Sequence, residues 1–72
     1  MREKILQELN LTKNVCFNQV SETNDTIHIT KSKSPVVTTT ETREICNISD
    51  ILYKYKDTLD ISISLNEVII KF

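Results

Sequence analysis

The residues able to do covalent or metal chemistry are few, and their spacing does not favour it. Cys16 and Cys46 are far apart, with no Cys-x-x-Cys unit and no second thiol pair at metal-ligand spacing. The sequence therefore predicts two reduced, mostly buried thiols, with a disulfide the lesser expectation. His28 is the only histidine. Pairing it with Cys16 would still lack the orienting group and oxyanion site that nucleophilic catalysis needs. Those two residues would supply a zinc ion with two ligands where a closed site takes four. The carboxylates Glu3, Glu8, Glu22, Asp25, Glu41, Glu44, Asp50, Asp57, Asp60 and Glu67 show no acid–base or metal spacing. No catalytic, cofactor-binding or metal-binding residue is assigned, and no cofactor is expected.

Composition narrows the rest. The 72 residues form one small domain, 1–72, with Gly 0, Trp 0 and Pro 1, and no Ala at all. Without glycine there is no phosphate-cradling loop. Ile, Val and Thr dominate, which favours strands, because β-branched side chains fit a pleated surface. Heavy use of Ile, Asn and Lys over Ala, Gly and Pro points to an A/T-rich genome, a cell's or that of a phage or plasmid. Nine basic residues against ten acidic give a net charge of −1, evenly distributed. No segment has the basic footprint that disposes a chain to bind phosphate backbones. No apolar run is long enough for a membrane span, and residues 1–11 lack a signal-peptide core, so a cytoplasmic location is expected.

The elements that would position any site follow from periodicity. Met1, Ile5, Leu6 and Leu9 predict a first helix ending near Asn10, since Asn tolerates the left-handed turn that glycine usually supplies. Strands are predicted at about 14–21 and 26–32, joined by a turn through Ser21–Asp25. With Phe17 opposite Ile29, one face takes Val15, Phe17, Ile27 and Ile29, and the other takes Cys16, Asn18, Thr26, His28 and Thr30. A linker, Lys31–Pro35, precedes a Thr-rich third strand from Val36 to about Glu44, of ambiguous facing. Ile48, Ile51, Leu52, Tyr55 and Leu59 form the stripe of a second helix, with Asn47 or Ser49 as N-cap. Ile61, Ile63 and Leu65 alternate on odd positions, then Val68, Ile70 and Phe72 on even ones. A turn at Asn66-Glu67 puts all six on one side of a hairpin, with Ser62, Ser64, Ile69 and Lys71 facing out; one bulged strand is the rival.

The expected architecture is α+β: an antiparallel sheet of about five strands with two helices on one face, in the order α-β-β-β-α-β-β. Thr38, Thr40 and Thr42 would line one strand face, a spacing that resembles the Thr-x-Thr arrays of ice-binding proteins over five residues without repeating. With no catalytic constellation, the expected function is a small non-enzymatic protein-binding module: an inhibitor, adaptor or regulator, for which a phage or plasmid origin is one of the options the coding bias leaves. Its surface would be a polar sheet face of Asn18, Thr26, His28, Thr30, Thr38, Thr40 and Thr42, or an exposed edge. That edge, placed near residues 36–44, could also recruit a second copy to form a homodimer. The alternative is a nucleic-acid-binding regulator in which Lys31, Lys33, Lys54 and Lys56 converge in a dimer.

Overall fold

A computed structural model describes residues 2–32 and 38–72. Helix α1 (Arg2–Leu9) leads through a 3-10 turn (Leu11–Lys13) to strands β1 (Gln19–Glu22) and β2 (Thr26–Thr30). Helix α2 (Thr38–Leu52) and a second 3-10 turn (Tyr53–Tyr55) follow, then strands β3 (Asp60–Ile63) and β4 (Glu67–Lys71). The result is an α+β fold with four antiparallel strands in the order β1-β2-β4-β3.

Asn10 stops α1 as expected. It sits at φ 48, ψ 55, the left-handed region, while its N–H still donates to the Leu6 carbonyl at 3.1 Å. Arg2, at the other end of α1, donates from Nη1 to the Thr23 carbonyl and from Nη2 to that of Asn24 at 2.6 Å. Its guanidinium also lies 5.0 Å from the centroid of the Phe72 ring. The first residues of the helix thereby hold the β1–β2 turn and the end of the chain.

One hydrophobic cluster joins both helices to one face of the sheet. It includes Ile5 and Leu9 from α1, Ile48 and Leu52 from α2, and Ile27, Ile29, Val68 and Ile70 from the central strands. Ile27 is paired with Ile70 and Ile29 with Val68, so these four side chains share a face, and it is the face the helices cover. Leu11, Cys16, Phe17, Tyr55 and Leu59 complete the cluster.

Three expectations need correction. The Thr-rich segment is helix, not strand, within the described residues: α2 begins at Thr38, well ahead of the predicted stripe. The proposed strand start at Val36 and Val37 and most of the linker (Lys33, Ser34, Pro35) lie outside the described residues. Among the described residues the sheet has four strands, not about five. What turns 38–47 helical is a stripe that continues through polar residues. Glu41 and Glu44 are buried on the same side as Ile48, so the inward face begins with carboxylates.

The second correction concerns residues 14–18, which are a bend rather than strand. Val15, Cys16 and Phe17 aim their N–H groups at the Glu44 carboxylate at 2.9, 3.0 and 2.9 Å. Asn14 donates from its amide to the Phe17 carbonyl at 2.9 Å. Phe17 is fully buried from this bend rather than from a strand opposite Ile29. Val20 takes the place opposite Ile29, which reverses the predicted facing of β1: Gln19 and Ser21, not Asn18, share the face of His28.

The third lies in the C-terminal hairpin, which exists with a register two residues away from the predicted one. Ile63 faces Val68 and Ile61 faces Ile70. A shift of two preserves facing, so Ile61 and Ile63 still point to the core side and Ser62, Ile69 and Lys71 to the other. Leu65 and Phe72 fall beyond the ladder and are exposed.

Candidate functional site

The sheet face away from the helices is built from three cross-strand rows. Gln19, Thr30 and Glu67 form one; Ser21, His28, Ile69 and Ser62 the next; Thr26, Lys71 and Asp60 the third. Among the described residues no helix packs on it. His28 donates or accepts through Nε2 with Glu67 Oε2 at 2.7 Å, linking β2 to β4. Both side chains are well exposed, so the pair organises a surface rather than a core. Beside it a shallow hollow of about 170 Å³ is lined by Asp60, Ser62, Ile69 and Lys71. Ile69, half-buried in the central row, is the apolar spot on this polar face.

Of the residues expected there, Thr26, His28 and Thr30 come together on β2. Asn18 does not join them. It precedes β1, and its amide donates to the carbonyls of Asn14 at 3.2 Å and Val15 at 3.4 Å. Thr38, Thr40 and Thr42 belong to α2, so they do not extend the sheet face, and the ice-binding-like strand array is not formed. Sequence reasoning missed Gln19, Ser21, Asp60 and Glu67 as face residues. The β2–β4 adjacency that brings His28 to Glu67 joins strands distant in sequence, and no local pattern reports it.

The thiols are separated from this face. Cys16 is buried in the core while His28 is on the opposite side of the sheet, which excludes the Cys–His pairing. Burial, then the charges of Glu44 and Glu41, push the Cys16 thiol above its ordinary pKa, so it is a poor nucleophile. Cys46 is exposed, contrary to expectation, and both thiols are unbridged. No cluster of three or more His, Cys, Asp or Glu suited to a metal ion occurs among the described residues. No helix among them is long and apolar enough to cross a membrane.

A larger cleft of about 500 Å³ runs between α1 and α2, with Glu8, Lys13, Arg43, Glu44 and Asp50 in its lining. Its charges are of mixed sign, and part of its wall is structural. Glu8 holds Lys54 at 2.8 Å and accepts from the Tyr55 hydroxyl at 3.1 Å. The Lys54 ammonium, outweighing desolvation, lowers the Glu8 pKa, and Glu8 in turn raises that of Lys54. Desolvation first, then the hydrogen bond to Glu8, raises the Tyr55 pKa.

The two sheet edges differ in chemistry. The Ser64 N–H donates to the Glu67 carbonyl at 2.9 Å, which makes this a bonded pair. By antiparallel alternation Ser62 and Asp60 then bond to β4, and Ile61 and Ile63 direct their N–H and C=O groups outward. On β1 the Thr23 N–H donates to the Thr26 carbonyl at 2.9 Å, so the outward groups belong to Val20 and Glu22. Comparison with protein-family models, curated proteins and solved structures finds no match to this chain.

Proposed function

We propose that this chain is a small non-enzymatic protein-binding module of the cytoplasm, an inhibitor, adaptor or regulator, acting through the open sheet face. The observation that carries the reading is that face: rows of short hydroxyls, a histidine–glutamate pair and Lys71 around one half-buried isoleucine, Ile69. A flat polar surface with an apolar centre suits contact with another protein better than enclosure of a small substrate. Two unbridged cysteines fit a reducing compartment.

The nucleic-acid alternative is less well supported. Lys31 is paired with Glu41 at 3.0 Å and Lys54 with Glu8 at 2.8 Å, while Lys56 sits over the Tyr53 ring. Lys33 lies outside the described residues. Affinity capture from the source cells, with wild type beside Ile69→Glu and His28→Ala, tests the proposal. A protein retained by wild type and lost with Ile69→Glu is the expected result. Equal retention by both, or salt-sensitive retention of nucleic acid alone, overturns it.

A further inference from the structure

We infer that two copies of this chain pair through β3, edge to edge about a two-fold axis at Ser62, to make one continuous eight-stranded sheet. This goes beyond the open-face reading and does not depend on it. The argument begins with backbone groups. Ile61 and Ile63 present the outward N–H and C=O groups of β3. In an antiparallel pair centred on Ser62, Ile61 faces Ile63 of the second copy and Ile63 faces its Ile61. Outward groups then meet outward groups at both positions, giving four hydrogen bonds without disturbing β4.

Side chains agree with this register. Ile61 and Ile63 lie on the helix-covered side, where their cross-strand pairing buries apolar surface. Beside them apolar surface is left in water: Tyr53 is 66% exposed, Leu65 59% and Ile63 36%. Between them is a groove of about 180 Å³ lined by Ser49, Leu52, Tyr53, Lys56, Ile61 and Ile63. The second copy's Ile63 and Leu65 pass along this side of the joint. Residues 61–66 carry no charge, so nothing on β3 meets its own like charge across the axis. Ser62 faces Ser62, and Asp60 faces Ser64.

The β1 edge shows why the partner is taken at β3. A two-fold at Ser21 would align outward groups equally well, but it sets Glu22 of each copy beside Val20 of the other. Glu22 is also the carboxylate that Arg2 approaches at 3.5 Å. Pairing there would desolvate two carboxylates, whereas β3 offers isoleucines.

The test is the molar mass of the intact chain by sedimentation equilibrium over a concentration series. Wild type rises from 8.3 kDa toward twice that value. Ser62→Lys and Ser62→Glu, each placing like charges on the axis at an exposed position, stay monomeric. Their equimolar mixture recovers the dimer, because Lys then faces Glu. Ser21→Lys, the same change on β1, leaves dimerisation intact. In a Cys46→Ser background, Ser62→Cys forms an intermolecular disulfide on mild oxidation, a check that holds if the charged variants fold poorly. A wild type that remains at 8.3 kDa at millimolar concentration overturns the inference. So does a dimer that survives Ser62→Lys, one abolished by Ser21→Lys, or a mixture that stays monomeric while wild type dimerises.

Discussion

The two ends of this sandwich are held by different physics. At the β1 end, polar side chains reach across the chain to backbone groups: Glu44 to the N–H groups of Val15, Cys16 and Phe17, and Arg2 to the carbonyls of the β1–β2 turn. Lys31 and Glu41 add an ion pair where β2 leaves toward α2. At the β3 end Leu52, Ile61 and Ile63 line an apolar groove against α2, and Tyr53, Ile63 and Leu65 are exposed, as Val15 and Val20 are at the β1 end. A short bend cannot satisfy its own backbone through a ladder, so side chains must do so. An edge strand satisfies half of its backbone in the sheet and leaves the other half available; at β3 the residues that do so are Ile61 and Ile63, at β1 they are Val20 and Glu22. The difference separates a stability device from a surface able to associate.

The strongest way to break this contrast is at Glu44. Glu44→Ala leaves three N–H groups without their acceptor, two of them buried, and is expected to cost about 3–5 kcal/mol of unfolding free energy by urea denaturation. Glu44→Gln, which keeps one acceptor oxygen, costs about half as much by the same reasoning. Amide exchange at Val15–Phe17 should accelerate in the alanine variant while β3 and β4 keep their rates. Next comes Arg2→Ala, expected to cost about 1–2 kcal/mol through two charge-assisted bonds to carbonyls. Its effect should concentrate on exchange in the Thr23–Thr26 turn.

Acid titration sharpens the comparison at the helix interface. The folded pKa of Glu8 is below its unfolded value, because Lys54 favours the carboxylate. Its contribution is therefore present above the unfolded pKa and lost as pH falls through the folded one. Glu8→Gln should lower stability in the neutral region, where the carboxylate contributes, and converge with wild type at low pH, so that its acid limb is flatter. The smallest effect is expected at His28→Ala, within about 0.5 kcal/mol of wild type, because the pair with Glu67 is exposed. A loss above about 2 kcal/mol there would mean that the open face supports the fold and is less available for contact.

Much of this was legible from local pattern. Asn10 ends α1 because a left-handed residue was needed and glycine was absent. The alternation of Ile27 and Ile29, and of Val68 and Ile70, set which side of the central strands is buried. The stripe from Ile48 to Tyr55 marked the later half of the helical segment. Its beginning was misread because strand propensity in a run of threonines outweighed a spacing signal. Thr38-x-x-Glu41 is the pattern that often opens a helix, and Glu41, Glu44 and Ile48 lie on one helical face. A buried glutamate interrupts an apolar stripe as completely as a solvent-facing one, until its acceptors are known to serve another segment.

Alternating and helical periods in the sequence thus indicated the α+β class and the facing of β2, and favoured a C-terminal hairpin, with the facing of β3 and β4, over one bulged strand, since each depends on neighbours a few residues apart. Strand order, the bend at 15–17, the capture of its N–H groups by Glu44 and the meeting of His28 with Glu67 came from tertiary contact. Those depend on pairs distant in the chain, whose energies exist only after the core has brought them together.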